Sequence, residues 1–258
     1  MELSHIIEHI LALDYDDRET EIGNYKISIH YDDWAESPRD WDNFGTMVCG
    51  HNRYTLGDEQ WSPEFASEYG MFEYFHSMSG LFPDKGYYSE FTDEEFQRIE
   101  EWVDQNIIWL PLYLYDHSGI TMSTSSFSCR WDSGMVGFIW VSREDARKNY
   151  HWNRISKQRE ERVYDHLRAE VETYDEYLRG NVHSFVVEYE DEIIDSCAGF
   201  LGDWHSDDGM GRHMITDNIV PAVEHHYKKR LDTRFEKVKA LINNCVPITK
   251  RPQLIANL

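Results

Sequence analysis

Basic residues are scarce in this chain of 258 residues. It has 25 Lys and Arg against 48 Asp and Glu, which gives a formal net charge of −23 with histidine counted as neutral. Because binding to nucleic-acid phosphates requires clustered Lys and Arg, DNA and RNA are disfavoured as direct ligands. An anionic membrane surface is disfavoured for the same reason. The composition therefore predicts a protein that meets neither nucleic acid nor a membrane directly.

Long apolar runs and targeting signals are missing as well. No run of about eighteen apolar residues occurs, so the sequence predicts no transmembrane helix. The opening stretch MELSHIIEHILALDYDD carries acids where a secretory signal carries bases, and it has no secretory cleavage pattern. Aromatic residues make up 14%, whereas a disordered acidic tail is depleted in them. We therefore expect a folded cytoplasmic protein.

Cysteines are few, and the short motifs of common enzyme classes do not occur. No CxxC pair is present, which excludes a zinc ribbon and a thioredoxin motif. The sequence also lacks GxxxxGK[ST], GxGxxG, HExxH, GxSxG and EF-hand spacing, so no cofactor is predicted. Because no export signal indicates an oxidising compartment, we expect all thiols to be reduced. The four cysteines are Cys49, Cys129, Cys197 and Cys245.

The acids are concentrated in the front half of the chain. Residues 1–100 hold 23 acids against 6 bases, a net of −17, whereas residues 201–258 hold 7 against 9, a net of +2. A compact chain of this length is about 45 Å across, and duplex DNA of that length carries about 26 phosphate charges. The total charge is therefore comparable with that of DNA. The alternative is that the acids only keep an aromatic-rich protein in solution.

The apolar periodicity predicts a single α+β domain over residues 1–258, with a mostly antiparallel central sheet and flanking helices. A long helix is expected at about 157–179, and a basic C-terminal helix at about 221–245. Further helices are predicted at 4–13, 63–79 and 93–105, with a short one beginning after Ser142. Strands are predicted at 25–32, 46–51, 107–115, 119–125 and 134–142, and two more within 182–202.

Three loop segments, 35–59, 115–138 and 195–213, concentrate polar and aromatic residues, and loops often carry functional residues. A catalytic cysteine would need an imidazole within about 3 Å of its sulfur. Cys49 has a second interpretation, since it ends the apolar triplet that begins at Met47 and would simply pack in the core. The candidate catalytic residues of an enzyme are Cys49, His51, Asp116, His117, Cys129 and Asp132.

The third loop also contains candidate metal ligands, Asp203, His205 and Asp207. Carboxylate and imidazole ligands suit zinc, manganese or iron. Their spacing matches no helical ligand pattern, so a solvated acidic turn is the alternative interpretation. A paired-carboxylate hydrolase is compatible with any chain that has 48 acids, and only a measured separation of the carboxylates would decide it.

Tryptophans in acid-rich loops suggest a binding surface. Exposed aromatic rings act as anchors, and surrounding acids steer the encounter with a basic partner. Alternatively, these rings cover the ends of the sheet. The tryptophans are Trp34, Trp41, Trp61, Trp131 and Trp204. The candidate partner-binding residues are Asp32, Asp33, Trp34, Asp40, Asp42, Asp58 and Glu59. The aromatic content would also supply an interface for a homo-oligomer.

Three strings carry a resemblance: AESPRDWDNFGTMVCGHNRYTLGDE, YDHSGITMSTSSFSCRWDSGMVGFIWVS and NVHSFVVEYEDEIIDSCAGF. Over about residues 24–202 the chain resembles a family of acidic proteins encoded by bacteriophages and mobile elements. No activity is established for that family, so the resemblance implies no fold, cofactor or catalytic residue. It implies a phage-like setting inside a bacterial cell.

Together these observations favour an inhibitory binding protein. Its acidic front half would occupy a basic surface on a nucleic-acid-binding bacterial protein, such as a restriction or CRISPR component, in the manner of a DNA mimic. The phage-like setting supports this hypothesis by association. The alternative is a small hydrolase or nuclease-like enzyme, with or without a metal, that uses the three polar loops.

Overall fold

The structure is a computed structural model, in which the chain forms two compact units. The first unit contains residues 1–33 and 182–258, and the second contains residues 34–181. The residues that the structure describes are 3–14, 18–62, 67–129, 131–206 and 211–256.

Helices and antiparallel strands make up both units, which confirms the α+β class. The helices are α1 (Leu3–Leu11), α2 (Glu68–Ser79), α3 (Asp93–Asn106), α4 (Arg143–Asn149), α5 (Lys157–Leu178), α6 (Val220–Cys245) and α7 (Arg251–Ala256). The strands are β1 (Glu19–Ile22), β2 (Tyr25–Tyr31), β3 (Thr46–Cys49), β4 (Glu59–Gln60), β5 (Ile107–Asp116), β6 (Ile120–Ser123), β7 (Ser133–Ser142), β8 (Val182–Tyr189) and β9 (Glu192–Leu201).

The first unit is built on an antiparallel sheet in the order β1-β2-β8-β9. The hairpin of β8 and β9 turns at Glu190 and Asp191, which both have positive φ, as the predicted tight turn between two strands requires. Ile10 of α1 and Val223 of α6 pack with Ile27 of the sheet in one buried cluster. Helical spacing on α1 and strand alternation on β2 thus bury one face of each element.

The second unit has a sheet in the order β4-β3-β7-β5-β6, in which only β3 and β4 are parallel. Strand alternation sends neighbouring side chains of β3 to opposite faces. Met47 packs into the cluster that Val163 and Leu167 of α5 belong to, and Val48 packs with Phe75 of α2. Helices therefore cover both faces of this sheet.

Local signals placed several helix boundaries correctly. The Thr92–Glu95 capping box begins α3, and Ser156 caps α5, whose end at Leu178 lies one residue before the predicted end. The predicted start of the second helix at Pro63 lies outside the described residues. In the described part, α2 begins after Ser67, whose hydroxyl accepts from the backbone N–H of Gly70 at 3.4 Å.

Pro111 interrupts the apolar run of β5 without ending the strand. It lies opposite Phe138 on β7, while the pairing of β5 with β6 begins only at Tyr113. A register shift follows between Leu112 and Tyr113. Proline cannot donate a ladder hydrogen bond, so it is tolerated where its strand lacks a neighbour on that side.

The strands form two sheets, where the sequence suggested one central sheet. Alternation shows that a strand is half-buried but does not show which strand lies beside it. The prediction of one domain over 1–258 stays a prediction. Within the described ranges, no helix is both long enough and apolar enough to cross a membrane.

Candidate functional site

A polar cleft of about 370 Å³ lies in the second unit, where β3 and β5 end and β7 begins. It brings the first two polar loops together, whereas the third, 195–213, belongs to the other unit. Three of the predicted catalytic candidates line it. The lining residues are Gly50, His51, Asn52, Arg53, Leu114, Asp116, Trp131, Asp132, Ser133, Gly134, Met135 and Val136.

The hairpin between β5 and β6 positions the acidic side of the cleft. Ser118 (φ 58°) and Gly119 (φ 150°) make the turn, and the backbone N–H of Asp116 donates to the carbonyl of Asp132 at 2.8 Å. A positive φ disfavours most side chains, which is why glycine suits this turn. The pairing of β5 with β7, which ends at Tyr115 and Ser133, places Asp116 and Asp132 beside each other.

Arg53 and Tyr54 define the other side of the cleft. Arg53 forms an ion pair with Asp116, and the Tyr54 hydroxyl donates to the same carboxylate at 3.5 Å. The backbone N–H of Arg53 donates to Nδ1 of His51 at 3.3 Å, and the His51 ring stacks on Tyr54 with centroids 5.0 Å apart. Because Nδ1 accepts, the proton of the neutral His51 ring is on Nε2.

Asp132 lies between His117 and Cys129. Its Oδ2 is 3.6 Å from Nδ1 of His117 and accepts from Sγ of Cys129 at 3.7 Å. The hydrogen-bond partner of the thiol is therefore a carboxylate. No hydrogen bond between His117 and Cys129 is present in the described part of the chain, so these residues do not form the cysteine–histidine pair that nucleophilic catalysis requires.

Cys49, the other candidate nucleophile, is completely buried. Burial, with the charge of Asp58 as the next cause, raises the pKa of its thiol to about 12. Since the thiolate is the nucleophile, this side chain is unreactive near neutral pH. The strand β3 ends at Cys49, so His51 lies beyond the strand and lines the cleft instead. The packing interpretation of Cys49 agrees with this geometry.

The predicted metal ligands lie in the first unit. The His205 Nε2 group donates to the carbonyl of Leu13 at 2.7 Å, and Nδ1 is 3.1 Å from Oδ1 of Asp203. Both ring nitrogens are thus already engaged. Asp207 lies outside the described residues, among which no group of three or more His, Cys, Asp or Glu is arranged to hold a metal ion.

A buried arginine, which the sequence analysis missed, organises the first polar loop. Arg39 donates to Asp58 through Nε at 2.9 Å and Nη2 at 2.5 Å, and to Glu170 of α5 through Nη1 at 3.2 Å. Nη2 also donates to the carbonyl of Gly45 at 2.6 Å. Burial lowers the pKa of Arg39, but the two carboxylates outweigh it and the net shift is upward.

Glu170 completes this buried network. Its carboxylate accepts from the backbone N–H of Phe44 at 2.5 Å and of Gly45 at 3.0 Å, in addition to Arg39. The loop is therefore fastened to α5 by charge-assisted hydrogen bonds. One feature of the sequence indicates that Glu170 is buried. It directly precedes Val171 and lies three residues after Leu167, and both of these belong to the apolar stripe of α5.

Residues 34–42, which we call the acidic-aromatic segment, turn their large side chains to solvent. Trp34 is 94% exposed and Trp41 is 50% exposed. Asp40 and Asp42 are exposed as well, whereas Arg39 of the same segment is buried.

Two further contacts hold this segment. Ser37 Oγ accepts from the backbone N–H of Arg39 at 3.2 Å, and Asn43 Nδ2 donates to the carbonyls of Pro38 and Trp41 at 2.9 Å each. The backbone that carries Asp40, Trp41 and Asp42 is thus fixed.

The remaining predicted partner-binding residues have mixed environments. The carboxylate of Asp58 is engaged by Arg39, and Glu59 accepts from the Tyr74 hydroxyl at 3.1 Å. Asp32 accepts from the backbone N–H of Gly199 at 3.0 Å, while Asp33 is exposed.

The loop tryptophans divide between the two interpretations. Trp131, which lines the cleft, is 96% exposed, and Trp34 is 94% exposed. Trp61 packs edge-on against Phe138 with centroids 5.8 Å apart, and Trp204 is fully buried. Trp34 and Trp131 are therefore exposed, as the anchor interpretation requires, whereas Trp61 and Trp204 cover the core.

No protein-family model, curated protein or solved structure matches this chain. A proposal of function therefore depends on the chemistry of the residues described above. The likeness to a phage-encoded family stays a prediction from the sequence.

Proposed function

We propose that this chain is an acidic binding protein whose acidic-aromatic segment docks on a basic surface of another protein. One observation carries the proposal: Trp34 and Trp41 are exposed beside the exposed carboxylates of Asp40 and Asp42. Tryptophan is enriched among the residues that contribute most to protein–protein binding, and carboxylates complement Lys and Arg.

The buried network beneath the segment supports this function. Binding is weakened when a loop must become ordered on association, and a loop that is already fixed avoids that cost. Arg39 and Glu170 fix residues 38–45 through their hydrogen bonds, so Asp40, Trp41 and Asp42 are held before a partner arrives. An acidic loop that only kept the protein in solution would need no such support.

A second acidic and aromatic surface lies in the same unit. The groove between α2 and α3 has a volume of about 540 Å³ and is lined by Tyr69 and Tyr88, whose ring centroids are 4.6 Å apart. Glu68, Glu100 and Asp104 line it as well. No ion pair of these three carboxylates is present among the described residues, so their charge is available to a basic partner.

The partner that we propose is a nucleic-acid-binding bacterial protein, of the restriction or CRISPR type. Surfaces that bind DNA or RNA are rich in Lys and Arg, which a protein with net charge −23 complements. The phage-like setting expected from the sequence supports the choice of a defence protein. Such binding weakens with rising salt, because exposed charges are screened.

The test is capture of the partner from a bacterial lysate by wild-type protein and by the variant W34A/W41A/D40N/D42N. We expect the variant to bind the captured protein at least about thirtyfold more weakly, because one anchor tryptophan contributes about 2 kcal/mol or more. The matched control is E101Q/E172Q, which removes the same charge from exposed sites and should bind like wild type.

Competition then tests the DNA-mimic part of the proposal. Added duplex DNA should release the captured partner, and so should high salt. Equal binding by the quadruple variant and wild type would remove this segment from the interface. A partner that DNA does not displace would contradict occupation of a nucleic-acid site.

The polar cleft favours a second candidate function, a small hydrolase. His51, Asp116 and Asp132 line it, and His117 and Cys129 contact Asp132, so five of the six candidate catalytic residues lie together. If the cleft is catalytic, D132N should reduce hydrolysis of a general ester or phosphodiester substrate at least about a hundredfold, the usual minimum effect of a general acid or base. Equal activity of D132N and wild type would contradict this candidate.

A further inference from the structure

A second cleft in the unit of residues 34–181 has a chemistry unlike the rest of the chain. It has a volume of about 560 Å³, which lies within the range of small-ligand sites. Its twelve lining residues include three arginines and two tryptophans. The lining residues with charged or indole side chains are Trp102, Trp140, Arg143, Glu144, Arg147 and Arg154.

The ion pairs of the cleft leave it positively charged. Arg143 pairs with Glu160, and Lys148 pairs with Glu144 at 2.9 Å and with Asp145 at 3.4 Å. Arg147 and Arg154 have no ion pair among the described residues. Two uncompensated guanidinium groups therefore line one cleft in a chain that carries 48 acids.

One of the lining arginines, Arg143, is held in place. Arg143 donates from Nε to the backbone carbonyl of Asp104 at 2.8 Å, in addition to its ion pair with Glu160. The two indole rings come from different elements, Trp102 from α3 and Trp140 from β7, and both are half-buried. Trp102 and Trp140 pack against the buried cluster of Phe75 and Phe138, so the walls are part of the fold.

We propose that this cleft binds a nucleotide, with phosphate on the arginines and the base against an indole. Guanidinium groups bind phosphate oxygens in a bidentate manner, and indole rings stack on bases. The distant carboxylates do not prevent this, because charges farther away than about 8 Å are largely screened at physiological salt. The site is separate from the acidic-aromatic segment and does not rest on the function proposed for that segment.

Calorimetry on the full chain with three probes tests the proposal: ADP, adenosine and inorganic phosphate. ADP should bind at least about tenfold more tightly than either of the other two, because only ADP engages both the arginines and the indoles. Equal affinities for ADP and phosphate would overturn the stacking contribution. Undetectable binding of all three probes would overturn the site itself.

Two variants locate the ligand. R147A/R154A should weaken ADP binding at least about tenfold, and W102F should weaken ADP binding more than phosphate binding. The matched control R98A/R168A removes two arginines outside the cleft and should bind ADP like wild type. Wild-type affinity in R147A/R154A would place any bound ADP elsewhere and contradict the proposal. The quadruple variant of the acidic-aromatic segment should keep its ADP affinity, which separates failure of one proposal from failure of the other.

Discussion

Replacing Arg39 by methionine is expected to lower the free energy of unfolding by about 3–5 kcal/mol, the usual effect of removing one partner from a buried ion pair. The Arg39 side chain is almost completely buried and makes hydrogen bonds to Asp58, Glu170 and the carbonyl of Gly45. Methionine fills much of the same volume but supplies no charge. The carboxylates of Asp58 and Glu170 are then left without their cation, and that cost dominates.

Urea unfolding of wild type and R39M measures the effect. The control is R168A, since Arg168 pairs with Glu161 at 3.2 Å and Asp165 at 2.8 Å on the exposed face of α5. Exposed pairs contribute about 1 kcal/mol or less, so R168A should unfold nearly like wild type. If R39M and R168A lose the same small amount, the network does not stabilise the fold as we argue.

The lysine variant R39K separates charge from geometry. Lysine carries the positive charge but cannot donate to both oxygens of Asp58 while it also reaches Glu170 and Gly45. We expect R39K to recover less than half of the stability that R39M loses. Full recovery would show that charge alone is needed and that the bidentate contacts are dispensable.

The stability of the loop is linked to the proposed binding function. Hydrogen bonds of Arg39, Ser37 and Asn43 hold the backbone that carries the exposed side chains of Asp40 and Trp41. A protein without Arg39 therefore loses the fixed arrangement of its anchors in addition to stability. Comparing the partner affinity of R39M with that of W34A/W41A/D40N/D42N shows how much of the affinity depends on this preorganisation.

Periodicity and capping residues were enough to predict most elements. The stripe of Val163, Leu167 and Val171 predicts α5, because a helix that covers a sheet buries every third or fourth residue. The alternation around Ile27 and Ile29 predicts β2 in the same way. Short elements such as β4 were not predicted, because two residues are too few to show the alternation of buried and exposed side chains.

Long-range partners could not be predicted from one sequence. Arg39 and Glu170 are 131 positions apart, and nothing in the loop around Arg39 indicates which acid it meets. The convergence of His51 with Asp116 and Asp132 depends on the strand order, which periodicity does not encode. Residue types therefore predicted many members of the candidate site. Which of these residues lie next to each other is known only from the fold.

His183 is expected to make the protein markedly less stable in mild acid. This histidine of β8 is completely buried, and its ring meets the ring edge of Trp204 with centroids 4.6 Å apart. Burial is the largest cause and the cation of Arg18 the next. They outweigh the opposing charge of Asp203, so the pKa of His183 falls from 6.5 to about 4. The native state thus keeps the ring neutral where the unfolded chain protonates it.

The direction of the pH dependence follows from proton binding. Between pH 6.5 and about pH 4 the unfolded state binds a proton at His183 that the native state does not bind, so stability falls as pH falls. A pKa difference of this size corresponds to about 3 kcal/mol in the free energy of unfolding. This contribution is fully present above pH 6.5 and is lost by about pH 4.

The variant H183F isolates this contribution. Phenylalanine keeps an aromatic ring beside Trp204 but has no titrating group. Urea unfolding of both proteins across the pH range gives the difference in unfolding free energy at each pH, in which the titration of the carboxylates cancels. Wild type should lose about 3 kcal/mol relative to H183F between pH 6.5 and pH 4. A difference that does not change with pH would show that protonation of His183 costs the native state nothing, and the burial of this ring would then have no part in acid unfolding.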